Sequence, residues 1–301
     1  MQPLPASSGD LIADRRADYA EMLFANGEHA AAAELMLGAL ELAPGWAMGW
    51  FRLGEFQEAA GALSEAERAW RMALQLEPDD RPGAALKLQL IGAAPVAAAP
   101  PSAFVETLFD QYADSFDEAL VKSLGYRAPH LLEAAIRAAA PDRRFRRAID
   151  LGCGTGLMGE RLRPLVDRLE GHDISAAMLA RARARNLYDR VEKSDLQTLA
   201  LEPSAADLVT AADVFMYVGA LERVFATVAK GLAKDGLFAF TVERHDGPED
   251  FVLRETRRYA HSENYVRRVL GADGLEIVSL STDTIRMDRA EPVTGLIVVC
   301  M

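Results

Sequence analysis

A doubly wound α/β domain with a mostly parallel sheet, preceded by a small all-helical domain, is the fold class that the sequence predicts. Three observations predict it. Residues 148–157, Ala-Ile-Asp-Leu-Gly-Cys-Gly-Thr-Gly-Leu, read as a buried strand running through a glycine-rich turn into a helix. From there to the end, short apolar runs alternate with helical patterns, which builds a parallel sheet covered on both faces. Before residue 95 the chain is rich in Ala, Leu and Glu at helical spacing and repeats itself every 34 residues.

The 301 residues suit one large or two modest domains, and half are apolar, enough for a real core. The net charge of -12 offers no basic footprint for nucleic acid phosphates. Cys153 and Cys300 lie far apart, so neither a disulfide framework nor a paired metal motif is expected, and a reducing cytosol fits. Residues 1–10 lack the basic and apolar regions of a leader, and no uncharged stretch reaches the roughly eighteen residues of a membrane span. The expectation is a cytoplasmic protein with no metal, nucleic acid or membrane partner.

Residues 1–94 are expected to form the helical domain. Gly27 and Gly61, Ala32 and Ala66, Ala39 and Ala73, Leu40 and Leu74, Pro44 and Pro78 are each 34 apart. Trp50-x-x-Leu53-Gly54, then Ala66, Trp70, Ala73 and Pro78, resemble a tetratricopeptide repeat, and the copy before it is degenerate, with Arg16 and Tyr19 in place of Trp50 and Leu53. Small residues let paired helices approach, and the prolines stop them. Two repeats with a capping helix over 84–91 are fewer than such arrays usually need, so the module should lean on the rest of the chain or on a protein partner. Its seven Lys and Arg against fourteen Asp and Glu make either a partner groove or a solvated acidic surface. Trp50 and Trp70, at repeat positions, are expected in the core.

Residues 95–103 are a Pro/Ala linker, and 104–301 form the α/β domain. Residues 104–117 are amphipathic, with Leu108, Tyr112 and Phe116 four apart on one face. A helix over 126–140 precedes strands expected at 147–151, 168–173, 190–193, 206–212, 236–243, 275–280 and 295–300, with a helix over 222–232 and a turn at Asp235-Gly236. The last two strands have no helix between them, which suggests a hairpin. The Arg143–Arg147 cluster is read as a solvated lead into the first strand.

The chemistry is expected at the carboxyl ends of the strands. Gly152-x-Gly154-x-Gly156 lets the backbone pass close to a ligand at a helix N-terminus. The spacing differs from the dinucleotide Gly-x-Gly-x-x-Gly, and Asp150 before it would repel a pyrophosphate but suit a cation such as the sulfonium and ammonium of S-adenosylmethionine. Asp173, 23 residues on, sits where a second strand should end, placed to accept from ribose hydroxyls, and Asp195, 22 further, can accept from an adenine amino group.

Asp150-x-Gly152-x-Gly154-x-Gly156, Asp173-Ile174-Ser175 with Met178 and Leu179, Asp195-Leu196, and Asp207-Leu208-Val209 leading to Ala212-Asp213-Val214 resemble the class I S-adenosylmethionine-dependent methyltransferases. The resemblance implies a Rossmann-like sheet of seven strands with the last antiparallel. It implies S-adenosylmethionine as cofactor, held at Asp150, Gly152, Cys153, Gly154, Gly156, Asp173, Ile174, Met178, Asp195, Leu196 and Asp213. Residues 104–117 resemble the aromatic and acidic lid segment of many small-molecule methyltransferases, which would bring Tyr112 to the methionine end of the cofactor. The whole chain resembles the bacterial methyltransferases predicted to carry tetratricopeptide repeats.

On the acceptor side, methyl transfer needs alignment, and a base only for a hydroxyl or protonated amine. His245 and His261 are the candidate bases. Residues 243–265, polar and aromatic, would cover the acceptor. Asp213-Val214-Phe215-Met216 replaces an Asn-Pro-Pro-Tyr-like run, leaving small molecules or protein side chains as acceptors. A non-catalytic adaptor and a nicotinamide-dependent reductase are the competing readings.

Overall fold

The computed structural model describes residues 7–114, 116–117 and 124–301. Its contacts divide the chain into two units, Met1–Phe104 and Val105–Met301.

The first unit pairs α1 (Leu11–Ala25) with α2 (His29–Leu40) and α3 (Ala47–Ala59) with α4 (Leu63–Leu76), and adds α5 (Ala84–Leu90). Asp10 caps α1 by accepting from the Ile12 and Ala13 N–H groups. Ala13, Ala17 and Ala20 then close against Ala32, Met36 and Ala39 in one core. Gly54 is a packing requirement: a Cβ there would collide with the indole of Trp70, which is fully buried and donates from Nε1 to the Phe51 carbonyl. Trp50, expected in the core, is only half-buried and donates to the Pro44 carbonyl. Asp80 caps α5 through the Ala84 and Ala85 N–H groups.

The second unit is one seven-stranded sheet in the order β3-β2-β1-β4-β5-β9-β8. Its strands are β1 (Phe145–Leu151), β2 (Val166–Asp173), β3 (Arg190–Lys193), β4 (Ala206–Ala211), β5 (Leu232–Glu243), β8 (Ile277–Asp288) and β9 (Glu291–Cys300). All neighbours run parallel up to β5, and β9 is antiparallel to both β5 and β8. The remaining helices are α6 (Ser102–Tyr112), α7 (Ala128–Ala139), α8 (Leu157–Leu162), α9 (Ala176–Ala184), α10 (Glu222–Gly231) and α11 (Glu263–Ala272). One face of the sheet packs Ile149, Leu151, Val209 and Phe240 with residues of α10 and α11, and the other packs Ala148, Leu169 and Leu208 with residues of α7 and α8. Phe215, Phe225, Phe238 and Phe240 meet with centroids 4.6–6.2 Å apart, and each such pair contributes about 0.5–1.5 kcal/mol beyond area burial.

The terminal hairpin is far longer than expected. β8 runs to Asp288, and Arg289 and Ala290 turn the chain with φ of 49° and 65°. Both central residues are left-handed, the geometry of a tight hairpin turn, yet neither is the Gly or Asn that would have signalled it. A second departure is the small hairpin of β6 (Phe251–Leu253) and β7 (Tyr259–His261). The turn at Asp235-Gly236 lies inside β5, where the register against β4 jumps from Ala206↔Leu232 to Leu208↔Leu237.

Candidate active site

Strand order reverses direction at β1, which is flanked by β2 and β4, and the carboxyl ends of these strands open the crevice where ligands of such sheets lie. β1 leads into the turn at Gly152, Gly154 and Gly156, with φ of 61°, 54° and 102°. An alanine at any of the three would be strained. A Cβ on Gly152 would also meet Val214 Cγ2 at 2.5 Å, whereas one on Gly154 would find only Phe116 at 3.8 Å. The turn is therefore packed beneath Gly152 and open above Gly154.

Asp173 ends β2 and is bound into the turn: its Oδ2 accepts from Gly154 N–H at 2.8 Å and its Oδ1 from Ser175 N–H at 2.8 Å. Burial pushes its carboxyl up to about 6, against the pull of those N–H donors. Asp150 is 1% exposed, its two oxygens accepting from Tyr188 Oη at 2.7 Å and Thr210 Oγ1 at 2.8 Å, and burial pushes it up to about 7. Neither carboxylate forms an ion pair among the described residues. Cys153 and Met178 are buried beneath the turn and at α9, with Sγ of Cys153 a protonated thiol pushed up by burial. Ile174 is half-buried beside Asp173. Asp195 lies beyond β3, accepting from Gln197 N–H at 2.8 Å, and Leu196 packs on the core. The turn and its two uncompensated buried carboxylates fit a cation-bearing cofactor.

α6 carries a row of acids onto this rim. Glu106 meets Lys193 and Asp110 accepts from Ser175 Oγ at 2.5 Å and Ala177 N–H at 3.2 Å, and just beyond the helix Asp114 meets Arg181 and Asp117 meets Arg185 and Thr155. The row sets the helix rotation, and with it which aromatic faces inward. Phe109 packs edge-on to Tyr217 at 5.3 Å and to Phe116 at 6.1 Å, while Tyr112 stands 42% exposed. Of the expected Leu108–Tyr112–Phe116 stripe, Phe116 packs on Phe109, and Tyr112 is the exposed member.

Asp213, in a left-handed conformation with φ 59°, faces a buried cation and not the glycine turn. Arg286 of β8, 2% exposed, bonds Asp213 at 2.5 Å and also Glu243 of β5. Arg254 reaches the other oxygen of Glu243 at 3.2 Å, and Arg258 joins Asp288 at 2.6 Å and hydrogen-bonds Tyr217. This arginine cluster closes the ends of β4 and β5, and the sequence carries no motif for it, because its members come from the ends of β4 and β5, the turn between β6 and β7, and β8.

His261 is a strut. His261 is fully buried in β7, its Nε2 facing the Val218 and Gly219 carbonyls at 2.9 Å each, so the proton sits on Nε2. Burial drops it to about 4 despite those carbonyls, so His261 stays neutral and out of reach of an acceptor, a correction to its reading as a base. His245 is half-buried after β5, and Gly247 N–H donates to its Nδ1 at 3.0 Å.

Residues 149–240 match a family described as a methyltransferase domain. The chain is 28% identical over 169 residues to malonyl-[acyl-carrier protein] O-methyltransferase of Enterobacter lignolyticus, covering 53% of this chain and 66% of that protein. It is 33% identical over 136 residues to trans-aconitate 2-methyltransferase of Variovorax paradoxus, covering 44% and 52%. A chain of the solved complex containing the Haloferax volcanii Trm112 methyltransferase activator is similar in fold, with a TM-score of 0.50 at 20% identity over 64% of this chain and 96% of that one. The chain spans 38–66% of the length of the curated relatives it matches. Fold and match together make the second unit similar to methyltransferase domains.

Proposed function

We propose that the chain is an S-adenosylmethionine-dependent methyltransferase whose acceptor is the carboxylate of a small organic acid. The observation that carries the acceptor is the arginine cluster at the ends of β4 and β5. Arg258 Nε is a buried donor without an acceptor, beside the Tyr217 that Phe109 covers. A buried donor of this kind favours an anionic group. The two relatives named above carry a malonyl group and an aconitate in their names, both carboxylic acids, which supports the same class.

When bound, S-adenosylmethionine supplies an electrophilic methyl group. Gly152, Gly154 and Gly156 would pass the backbone along it, Asp173 would accept from its ribose, Asp195 from its adenine, and Asp150 would supply counter-charge from below. Phe109 and Phe116 would exclude water. A carboxylate is already a nucleophile at neutral pH, so the domain needs no base, in keeping with the buried, neutral His261.

We read the first unit as two tetratricopeptide-like repeats capped by α5, serving as a docking module or as a recruiter of a protein partner. The 34-residue period and the two helix pairs support this. Among the described residues no helix is long and apolar enough to cross a membrane. Two buried, unpaired cysteines favour a cytoplasmic setting.

Methyl-labelled cofactor incubated with the protein and a panel of di- and tricarboxylic acids, amines and a polypeptide fraction tests the reading. Label in a small, base-labile ester is expected. Base-stable label on amines or polypeptide would reject the carboxylate acceptor. Absence of any cofactor-induced thermal shift would favour a non-catalytic adaptor.

A further inference from the structure

Glycines at 156, 159 and 171 share one neighbour. They belong to the cofactor turn, to α8 and to β2, yet a Cβ on each would meet the ring of Tyr188: at 3.2 Å from Gly156, 2.9 Å from Gly171 and closer still from Gly159. A bound cofactor explains the glycine at 156 but not those at 159 and 171. The ring occupies the space their side chains would take.

Tyr188 is itself held on both sides. Arg163 Nη1 donates to the Leu187 carbonyl at 3.2 Å and meets Asp189 at 2.9 Å, while the Asp189 carboxylate accepts from Leu169 N–H at 2.7 Å. Its hydroxyl then reaches Asp150. The sheet register explains how: Asp150 stands between Gly171 of β2 and Thr210 of β4, so the missing side chain at 171 opens the path for the Tyr188 ring, and Thr210 closes the other side. Each oxygen of a fully buried carboxylate is thereby fixed by one neutral donor.

We propose that Tyr188 is the positioning residue of the cofactor cradle, packing under the glycine turn and holding Asp150 as an oriented counter-charge for a cationic ligand. The inference rests on the methyltransferase reading above, in which that ligand is S-adenosylmethionine. Two hydroxyl donors stabilise the carboxylate without neutralising it, so a ligand cation gains the full benefit of a buried negative charge that no arginine or lysine quenches.

The other titratable groups around Asp150 leave its titration legible. Tyr126, Cys153 and Tyr188 are all pushed upward by burial and stay neutral near pH 7, and Asp173 titrates lower, at about 6. Above pH 7 the change in cradle charge belongs to Asp150. Removing a donor pushes its carboxyl higher, so less of it is ionised at neutral pH and nearly all of it again at pH 9.

Calorimetric titration of the full chain with S-adenosylmethionine from pH 6 to 9 tests this. Tyr188→Phe keeps the ring and loses the donor; binding is expected to weaken roughly tenfold at pH 7 and to recover most of that loss by pH 9. Thr210→Val, which removes the opposite donor, should move the profile in the same direction and carries the test alone if the Tyr188 variant does not fold. Unchanged affinity in both variants, or an equal loss at every pH, overturns the proposal. Wild-type protein that binds no S-adenosylmethionine at any pH would sink the methyltransferase reading itself, and this inference with it.

Discussion

Asp150 and His261 are both buried ionisable groups, and burial acts on them with opposite sign. For Asp150 the folded state favours the proton, so the apoprotein carries a penalty that grows as pH rises from the ordinary carboxylate range through about 7. Asp150→Asn should therefore raise the melting temperature of the apoprotein at pH 8 while abolishing the cofactor-induced thermal shift, a separation that scanning calorimetry with and without cofactor would detect. A loss of both would show that Asp150 is needed for the fold. His261 is held neutral, so its contribution is complete above its unfolded value of ~6.5 and declines as pH falls toward about 4. Replacing it with Ala orphans the Val218 and Gly219 carbonyls and should cost about 2–4 kcal/mol of stability. The kcat of the remaining folded protein should stay unchanged; a thousandfold fall in kcat would restore His261 as a base.

At the level of the element, α6 is fastened by charge where most helices are fastened by apolar area. Phe104 is its one buried residue, and besides the edge-on contact of Phe109 with Tyr217 it is held by Glu106 and Asp110 and, just beyond it, Asp114. Exposed ion pairs are weak and screened by salt, so a strap held this way can open. Asp110→Asn combined with Asp114→Asn is expected to speed cofactor dissociation several-fold in stopped-flow measurements, with little change in melting temperature. Raising salt to about 0.5 M should reproduce the effect in the wild type but not in the variant. In the first unit the fastening is steric: Gly54→Val drives a side chain into the Trp70 indole and should destabilise that unit by about 1–3 kcal/mol.

Across the whole molecule, cofactor affinity should rise with pH. A cation binds best when Asp173 and Asp150 are ionised, and these titrate at about 6 and about 7. Affinity for S-adenosylmethionine is expected to climb at least tenfold from pH 5 to pH 8; a flat profile would place the carboxylates away from the bound charge. The elements that make this site were legible to different degrees. The turn at 152–156 and the carboxylates closing β2 and following β3 stand at fixed offsets within short segments, and local geometry requires those residue types. Helical periodicity could not show that Phe109 packs on Tyr217 while Tyr112 stands exposed, because it fixes spacing and not rotation. His261 looked catalytic because a side chain in a polar stretch carries no sign of burial until β6 and β7 pair.

The amino-acid sequence by itself determined the two-part architecture, the α/β alternation, the glycine turn and the spacing of its acids, since each depends on residues within one or two elements and on periodicity along the chain. Only the tertiary structure decided that Tyr188 underlies three glycines, that Arg286 bridges Asp213 and Glu243, and that Arg258 meets Tyr217. Those pairs join residues 17 to 73 positions apart, and their contact depends on strand order and register, which no local pattern encodes.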